Sequence, residues 1–291
     1  MQHTQNLTRK PTIENNMKQA RSLIVALALL CQVLAPGARA DEPAQARTSS
    51  WWSLWSWIDD LFGLSFGGVS YGNGESDRVI GSDKLVHQGR LIFDVHRIEL
   101  RGPIGLVIKQ GAVEELTLHT DDNIAGLIET TVKDGVLRVG VRPGASFRTR
   151  HAIGATVQVK VLSSLAVTGP SEVTCDGLDV DSLEVTAAGS GEVRIDTLHS
   201  AATTVLLQGS GAVRLSGNSA RQSYVIDGSG ELDADELVGR EVAVRANGSG
   251  NARIWVTQSL TVEISGSGNV YYRGQPALTS SVHGSGRLIH G

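Results

Sequence analysis

The stretch 266–291, GSGNVYYRGQPALTSSVHGSGRLIHG, holds the triplet Gly-Ser-Gly twice, each time followed by a variable residue and then an aliphatic one. Working back along the chain, the same phrase starts at Gly169 (as GPSEV), Gly189, Gly209, Gly228, Gly248, Gly266 and Gly284. The intervals are 20, 20, 19, 20, 18 and 18 residues. Self-similarity at a near-fixed short period is the signature of a solenoid, in which each repeat buries its apolar face against the next.

Alignment on the glycines assigns a role to each position. Two residues after the triplet come Val173, Val193, Val213, Leu232, Ala252, Val270 and Leu288, apolar every time. Two further on stand Cys175, Ile195, Leu215, Ala234, Ile254 and Tyr272, with mostly polar residues between. A second alternating run leads into each triplet, as in Leu183/Val185/Ala187 and Val242/Val244/Ala246. A period of two is that of a half-buried strand. Each repeat therefore reads as strand, corner, strand and a variable stretch.

The paired glycines Gly189/Gly191, Gly209/Gly211, Gly228/Gly230, Gly248/Gly250, Gly266/Gly268 and Gly284/Gly286 are read as the structural corners of the repeats. A sharp change of strand direction needs backbone angles that a Cβ penalises. The intervening serine is placed to hydrogen-bond its own backbone or the serine one coil away. A phosphate-binding loop would need a helix after the glycines, and a strand follows instead. Coils of about 20 residues are too short for propeller blades of ~40–45, and the leucine/asparagine pattern of leucine-rich repeats is absent. The expected fold is all-β, a parallel β-helix (β-solenoid) with coils of about 18–20 residues.

The beginning of the chain is set apart from the fold. Met17 opens MKQARSLIVALALLCQVLAPGARA, with Lys18 and Arg21 ahead of the apolar run Leu23–Leu30 and Ala38-Arg39-Ala40 before Asp41. That pattern is a secretory signal peptide cut after Ala40, with residues 1–16 an over-extended start. The apolar run is short for a membrane span, and Leu30 is bulky where a lipidation site at Cys31 would want a small residue. The chain is thus expected to be exported, to the periplasm, outer envelope or extracellular space.

Removing residues 1–40 takes away five Lys/Arg and one Glu from 26 and 30, leaving 21 basic and 29 acidic residues and a net charge of −8. Without blocks of positive charge the chain lacks the footprint of a nucleic-acid binder. Only Cys175 survives processing, at an inward-facing position, so an intramolecular disulfide is excluded and a buried, inert thiol is expected.

Residues 41–90 differ in composition. Four of the five tryptophans, Trp51, Trp52, Trp55 and Trp57, fall within seven residues. Helical spacing would set Trp51, Trp55, Ile58 and Phe62 along one side. Three readings stay open: a cap over one end of the solenoid or a partner contact, attachment to a membrane surface, or a stretch without fixed structure. Asp59 and Asp60 argue mildly against anionic lipid. The glycine-rich stretch after Phe66 reads as a linker.

From residue 91 onward the chain reads as β-helix to residue 291. RIELRGPIGLVIKQG, EELTLHT, GVLRVGVRP and ATVQVKVLSSLAVTG alternate as earlier, less regular coils, with an outside loop near Pro143–His151. The GPIGLVIKQG segment, the DGVLRV strand, the VKVLSSLAVTG strand and the GSG-x-aliphatic repeats, in that order, resemble a bacterial family labelled putative auto-transporter adhesin, head GIN domain. The resemblance covers about residues 91–291. It implies a right-handed parallel β-helix in a secreted or envelope protein. An autotransporter carries a C-terminal membrane barrel, whereas this sequence ends at Gly291 within a repeat, so self-export by that route is not expected.

No residue set reads as catalytic, cofactor-binding or metal-ligating. The slot after each triplet holds Glu172, Glu192, Ala212, Glu231, Asn251, Asn269 and Arg287. Stacking in register would set Glu172 and Glu192 one strand spacing apart, where two carboxylates repel unless solvent, a cation or a proton intervenes. A solvated ridge with Arg194 and Arg214 alongside is favoured over a calcium pair. The slot before each triplet, Thr168, Ala188, Gln208, Asp227, Asn247, Ser265 and His283, is polar enough to line a shallow strip, although polar corners are the ordinary explanation. His283 and His290 flank the last triplet without metal-ligand spacing. The expected function is non-catalytic binding to a glycan or envelope component. The alternative is a carbohydrate-active enzyme with a carboxylate strip, which rests on fold analogy.

Overall fold

A computed structural model describes residues 69–72 and 78–291. The readings of the signal peptide and of Trp51, Trp52, Trp55 and Trp57 lie outside those residues. The described chain is a β-solenoid of about 6 turns. Its regular half runs through β11 (Ser164–Thr168), β12 (Glu172–Cys175), β13 (Leu178–Gly189), β14 (Glu192–Gly209), β15 (Ala212–Gly228), β16 (Glu231–Gly248), β17 (Asn251–Gly266), β18 (Asn269–Arg273), β19 (Ala277–Gly284) and β20 (Arg287–His290). All pairings among these strands are parallel.

The repeat columns are the ladder partners. Val173, Val193, Val213, Leu232, Ala252, Val270 and Leu288 pair coil to coil in one register. Val193, Val213 and Val270 are fully buried, so the inward assignment holds. Between triplets, β14 to β17 stay paired almost throughout, because the variable stretches also find partners, such as Leu198 with Gly217 and Gly217 in turn with Leu237. Bulges absorb the differences in coil length, as between Ala234 and Val238.

The expectation that backbone angles account for both glycines of a corner needs correction. The first glycines, Gly189, Gly209, Gly228, Gly248, Gly266 and Gly284, all have positive φ, as at Gly248 with φ +118, a region that L side chains rarely adopt. The second glycines, Gly191, Gly211, Gly230, Gly250, Gly268 and Gly286, do not have positive φ. They are buried at the breaks between strands, where crowding sets the residue type. A Cβ at Gly191 would stand 2.5 Å from the Ser171 carbonyl oxygen, and one at Gly250 would stand 2.6 Å from that of Gly230. At Gly211, Gly268 and Gly286 the carbonyl of the matching glycine one coil earlier stands closer still.

The corner hydrogen bonds run through the backbone instead of the serine side chains. The N–H groups of Ser210, Ser229, Ser249, Ser267 and Ser285 each donate to the glycine carbonyl one coil earlier, at 2.8–2.9 Å. The serines themselves are exposed.

The earlier half is less uniform than expected. β4 (Arg97–Arg101), β5 (Gly105–Gln110) and β10 (Gly154–Val159) join the parallel ladder. β3 (Leu85–Arg90), β6 (Glu115–Asp121), β7 (Ile128–Lys133) and β8 (Val136–Val141) bring antiparallel pairs, β3 with β6, β6 with β10 and β7 with β8. Two further expectations are corrected here. The glycine-rich stretch before Leu91 contains strands, β1 (Val69–Tyr71), β2 (Val79–Ile80) and β3. The stretch near Pro143–His151 includes β9 (Phe147–Thr149), which pairs with β1 and β2 as a separate three-stranded sheet. Phe147 is fully buried and stacks on Tyr71 at 5.7 Å, so apolar burial holds this insert against the core.

Candidate functional site

The outward positions of the ladder form continuous columns. Glu172 stands beside Glu192, and the column continues through Ala212, Glu231 and Asn251. Asn269 extends it by a backbone N–H donated to Asn251 Oδ1 at 3.0 Å, and Arg287 follows. The next outward column runs Thr174, Arg194, Arg214, Asp233, Arg253, Tyr271 and Ile289. Charges interlock between the two, with Arg214 3.6 Å from Glu192 and Arg253 paired with Glu231, while Arg194 pairs at 2.6 Å with Asp196, two residues along its own strand. These pairs are about half exposed, so each contributes at most about 1 kcal/mol.

Glu172 stands apart from this pattern. Partial burial raises its pKa above the ordinary carboxylate value, and the neighbouring Glu192 adds to the rise. The two carboxylates are therefore brought together as the spacing required, and one of them is biased towards its protonated form.

The column before the triplet is also in register, from Thr168 through Ala188, Gln208, Asp227, Asn247 and Ser265 to His283. Asn247 Nδ2 donates to Asp227 Oδ1 at 2.8 Å. Further back on the same strands, an open depression of about 440 Å³ is lined by His96, Arg97, Ser164, Glu184, Ala202 and Thr204. The two histidines that flank the last triplet occupy different strands and bind separately: His283 Nε2 lies 3.1 Å from Ser281 Oγ, and His290 Nε2 lies 2.7 Å from the Gly274 carbonyl. Among the described residues no group of three or more His, Cys, Asp or Glu converges as a metal site.

Cys175 is buried, and burial pushes its thiol up to about 11, away from the reactive thiolate. Two buried polar sets were not legible in the sequence. Asp121, fully buried, accepts the Thr149 hydroxyl at 2.5 Å and meets His151 Nδ1 at 3.0 Å. The hydroxyl donates to the carboxylate rather than to the imidazole, so this trio ties β9 to β6 and lacks the order of a nucleophile relay. Inside the coils, Tyr224 donates to Gln222 Oε1 at 2.9 Å, and Gln222 donates to the Ser219 and Leu237 carbonyls. Thr203 and Ser219 exchange a further bond at 2.8 Å.

Stacked parallel coils with in-register polar columns on their outside define a β-solenoid. The chain belongs to the family described as "putative auto-transporter adhesin, head GIN domain", which matches residues 94–276. A solved structure of a "putative adhesin" from Bacteroides fragilis is similar at TM-score 0.71 and 23% identity, over 73% of this chain and 100% of that one. A "putative lipid binding protein" from Parabacteroides distasonis follows at TM-score 0.64 and 22% identity, over 74% and 99%. A "putative adhesin" from Parabacteroides merdae has TM-score 0.59 and 24% identity, over 74% and 100%. At these identities the likeness is one of fold. No curated protein matches the chain.

Proposed function

We propose that this chain is an exported, non-catalytic protein of the cell envelope whose outward columns serve as an adhesion-type binding surface. The observation that carries the reading is the unbroken register of polar side chains over successive coils, held on a buried aliphatic core. Such a face offers many weak, evenly spaced contacts, which suits an extended ligand better than a small molecule enclosed in a cavity. The names of the similar structures, adhesins and a lipid-binding protein, agree with a surface role. The expected partner is a glycan or another envelope component, and nucleic acid is not expected.

Residues 1–40 supply export under this reading, and the Trp51–Phe62 stretch supplies a cap or an anchor. Cell fractionation with N-terminal sequencing should find a form beginning at or near Asp41 in the envelope or medium. Intact cytoplasmic protein containing Met17 would overturn the localisation. A glycan array and binding to isolated envelopes test the binding role itself, and failure to retain either would overturn it.

The Glu172–Glu192 pair favours one second reading, a carbohydrate-active enzyme in which Glu172 holds the acid proton. The Arg214 contact to Glu192 and the open position of the pair fit a solvated ridge better.

A further inference from the structure

The last coils carry a different surface from the rest of the face. Arg253 pairs in register with Tyr271, Trp255 with Arg273, and Asn269 with Arg287. The Arg273 guanidinium lies 3.9 Å over the Trp255 ring, and its Nη2 donates to the Asp235 carbonyl at 2.7 Å. Arg273 thus straps three coils together. The Arg253 guanidinium sits 5.8 Å from the Tyr271 ring centroid while paired with Glu231. Among the described residues, neither Arg273 nor Arg287 has a carboxylate at ion-pair distance.

A guanidinium fixed by a ring and a backbone carbonyl has already given up much of its rotamer freedom. Its charge is uncompensated, although the chain as a whole carries excess acid. Binding an anion there costs little further ordering. Beside it, Tyr271 is half-buried and offers an apolar ring, and Asn269, whose amide also donates to Asn251 Oδ1, is the register partner of Arg287. Aromatic ring, amide and arginine fork together match a sugar acid: the C–H face stacks, hydroxyls meet the amide, and the carboxylate takes the fork.

We infer that the outward surface of β18 and β20 binds a stretch of anionic polysaccharide, with Arg273 and Arg287 holding its carboxylates and Tyr271 stacking on a sugar ring. The inference rests on the binding-surface reading above and gives that surface a ligand class and a place. The coil before β17 carries Glu231, Asp233 and Asp235 at the neighbouring outward positions. Glu231 is already paired with Arg253, and Arg273 reaches over Trp255 to the Asp235 carbonyl, so the polymer meets Arg273 beside β17 and continues along β18 towards Arg287. From Asn269 to Arg273 the strand spans roughly 13 Å, a length for several contacts in line.

The test uses the chain from Asp41 onward with polygalacturonate, dextran and poly-glutamate as probes. Polygalacturonate should be bound, more weakly as salt is added, and both dextran and poly-glutamate should be bound less well. Arg273→Lys keeps the charge but loses the planar stack and fork, and should weaken binding about tenfold. Tyr271→Ala should do the same, while Tyr271→Phe should not. If Arg273→Lys unfolds the last coils, Arg287→Ala removes an exposed charge without a stack and should also weaken binding. Unchanged binding by all of these variants overturns the site but leaves the binding surface standing. Poly-glutamate bound as tightly as polygalacturonate overturns the sugar assignment. A wild-type chain retained by no polysaccharide and no envelope fraction overturns both.

Discussion

Gly250 lies against Gly230 so closely that a Cβ at Gly250 would stand 2.6 Å from the Gly230 carbonyl oxygen and 2.7 Å from Ile226 Cγ2. Neither neighbour can yield cheaply, because one is backbone and the other is core. Gly250→Ala should therefore push adjacent coils apart and destabilise by about 2–4 kcal/mol. Gly89→Ala, with open space around the new methyl, should change stability by no more than about 0.5 kcal/mol. Urea unfolding of the two variants against wild type checks the contrast.

The buried polar network makes a second demand. Tyr224→Phe removes the hydroxyl that donates to Gln222 Oε1 and leaves that oxygen buried. The expected loss is about 1–3 kcal/mol. Adding Gln222→Leu to that variant should cost more still, because the amide that donates to the Ser219 and Leu237 carbonyls is then lost as well. Thermal unfolding of the single and double variants measures the difference.

The regular coils were legible because each repeats the same physical constraints: apolar at two inward positions, glycine at the corner. The separate duty of the second glycine was not, since crowding against the coil before it arises only once the coils stack. Thr203, Ser219 and Gln222 broke the reading, because polar residues at inward positions find their partners, side chains and backbone carbonyls of neighbouring coils, only once the coils stack. β9 escaped notice because three residues are too few for alternation to stand out, although Phe147 is among the most buried side chains. The carboxylate pair Glu172–Glu192 followed from spacing alone. The Arg273–Trp255 strap did not, because it joins residues 18 positions apart through side-chain stacking.

Cys175 gives the stability a pH dependence with a definite sign. Burial raises its thiol from 9.0 to about 11 in the folded chain, so the unfolded state loses the proton first. Stability is fully present below pH 9 and falls as pH rises through 11, by roughly 1.4 kcal/mol per pH unit while only the unfolded thiol is ionised. Cys175→Ala should remove that component of the slope. Tyr224, also raised by burial, should leave a residual decline above pH ~10. Thiol labelling of the native protein should be slow and should become fast on unfolding.

Glu172 acts in the same sense at lower pH. Its folded pKa is raised above 4.5, so its unfavourable charge is absent below that value and appears as pH rises past it. Glu172→Gln should leave stability at about pH 4 unchanged and increase it at about pH 7. Solvent screening limits the gain to about 0.5 kcal/mol or less. Denaturant midpoints at the two pH values test the sign.

Binding without turnover is the central claim, and one measurement addresses it most directly. The chain from Asp41 onward is incubated with a panel of envelope and plant polysaccharides, and retention and new reducing or unsaturated ends are followed in the same samples. The account predicts saturable retention of at least one polysaccharide with no new ends formed, and the same result for Glu172→Gln and Glu192→Gln. Release of ends by wild type that is lost in either variant would contradict it.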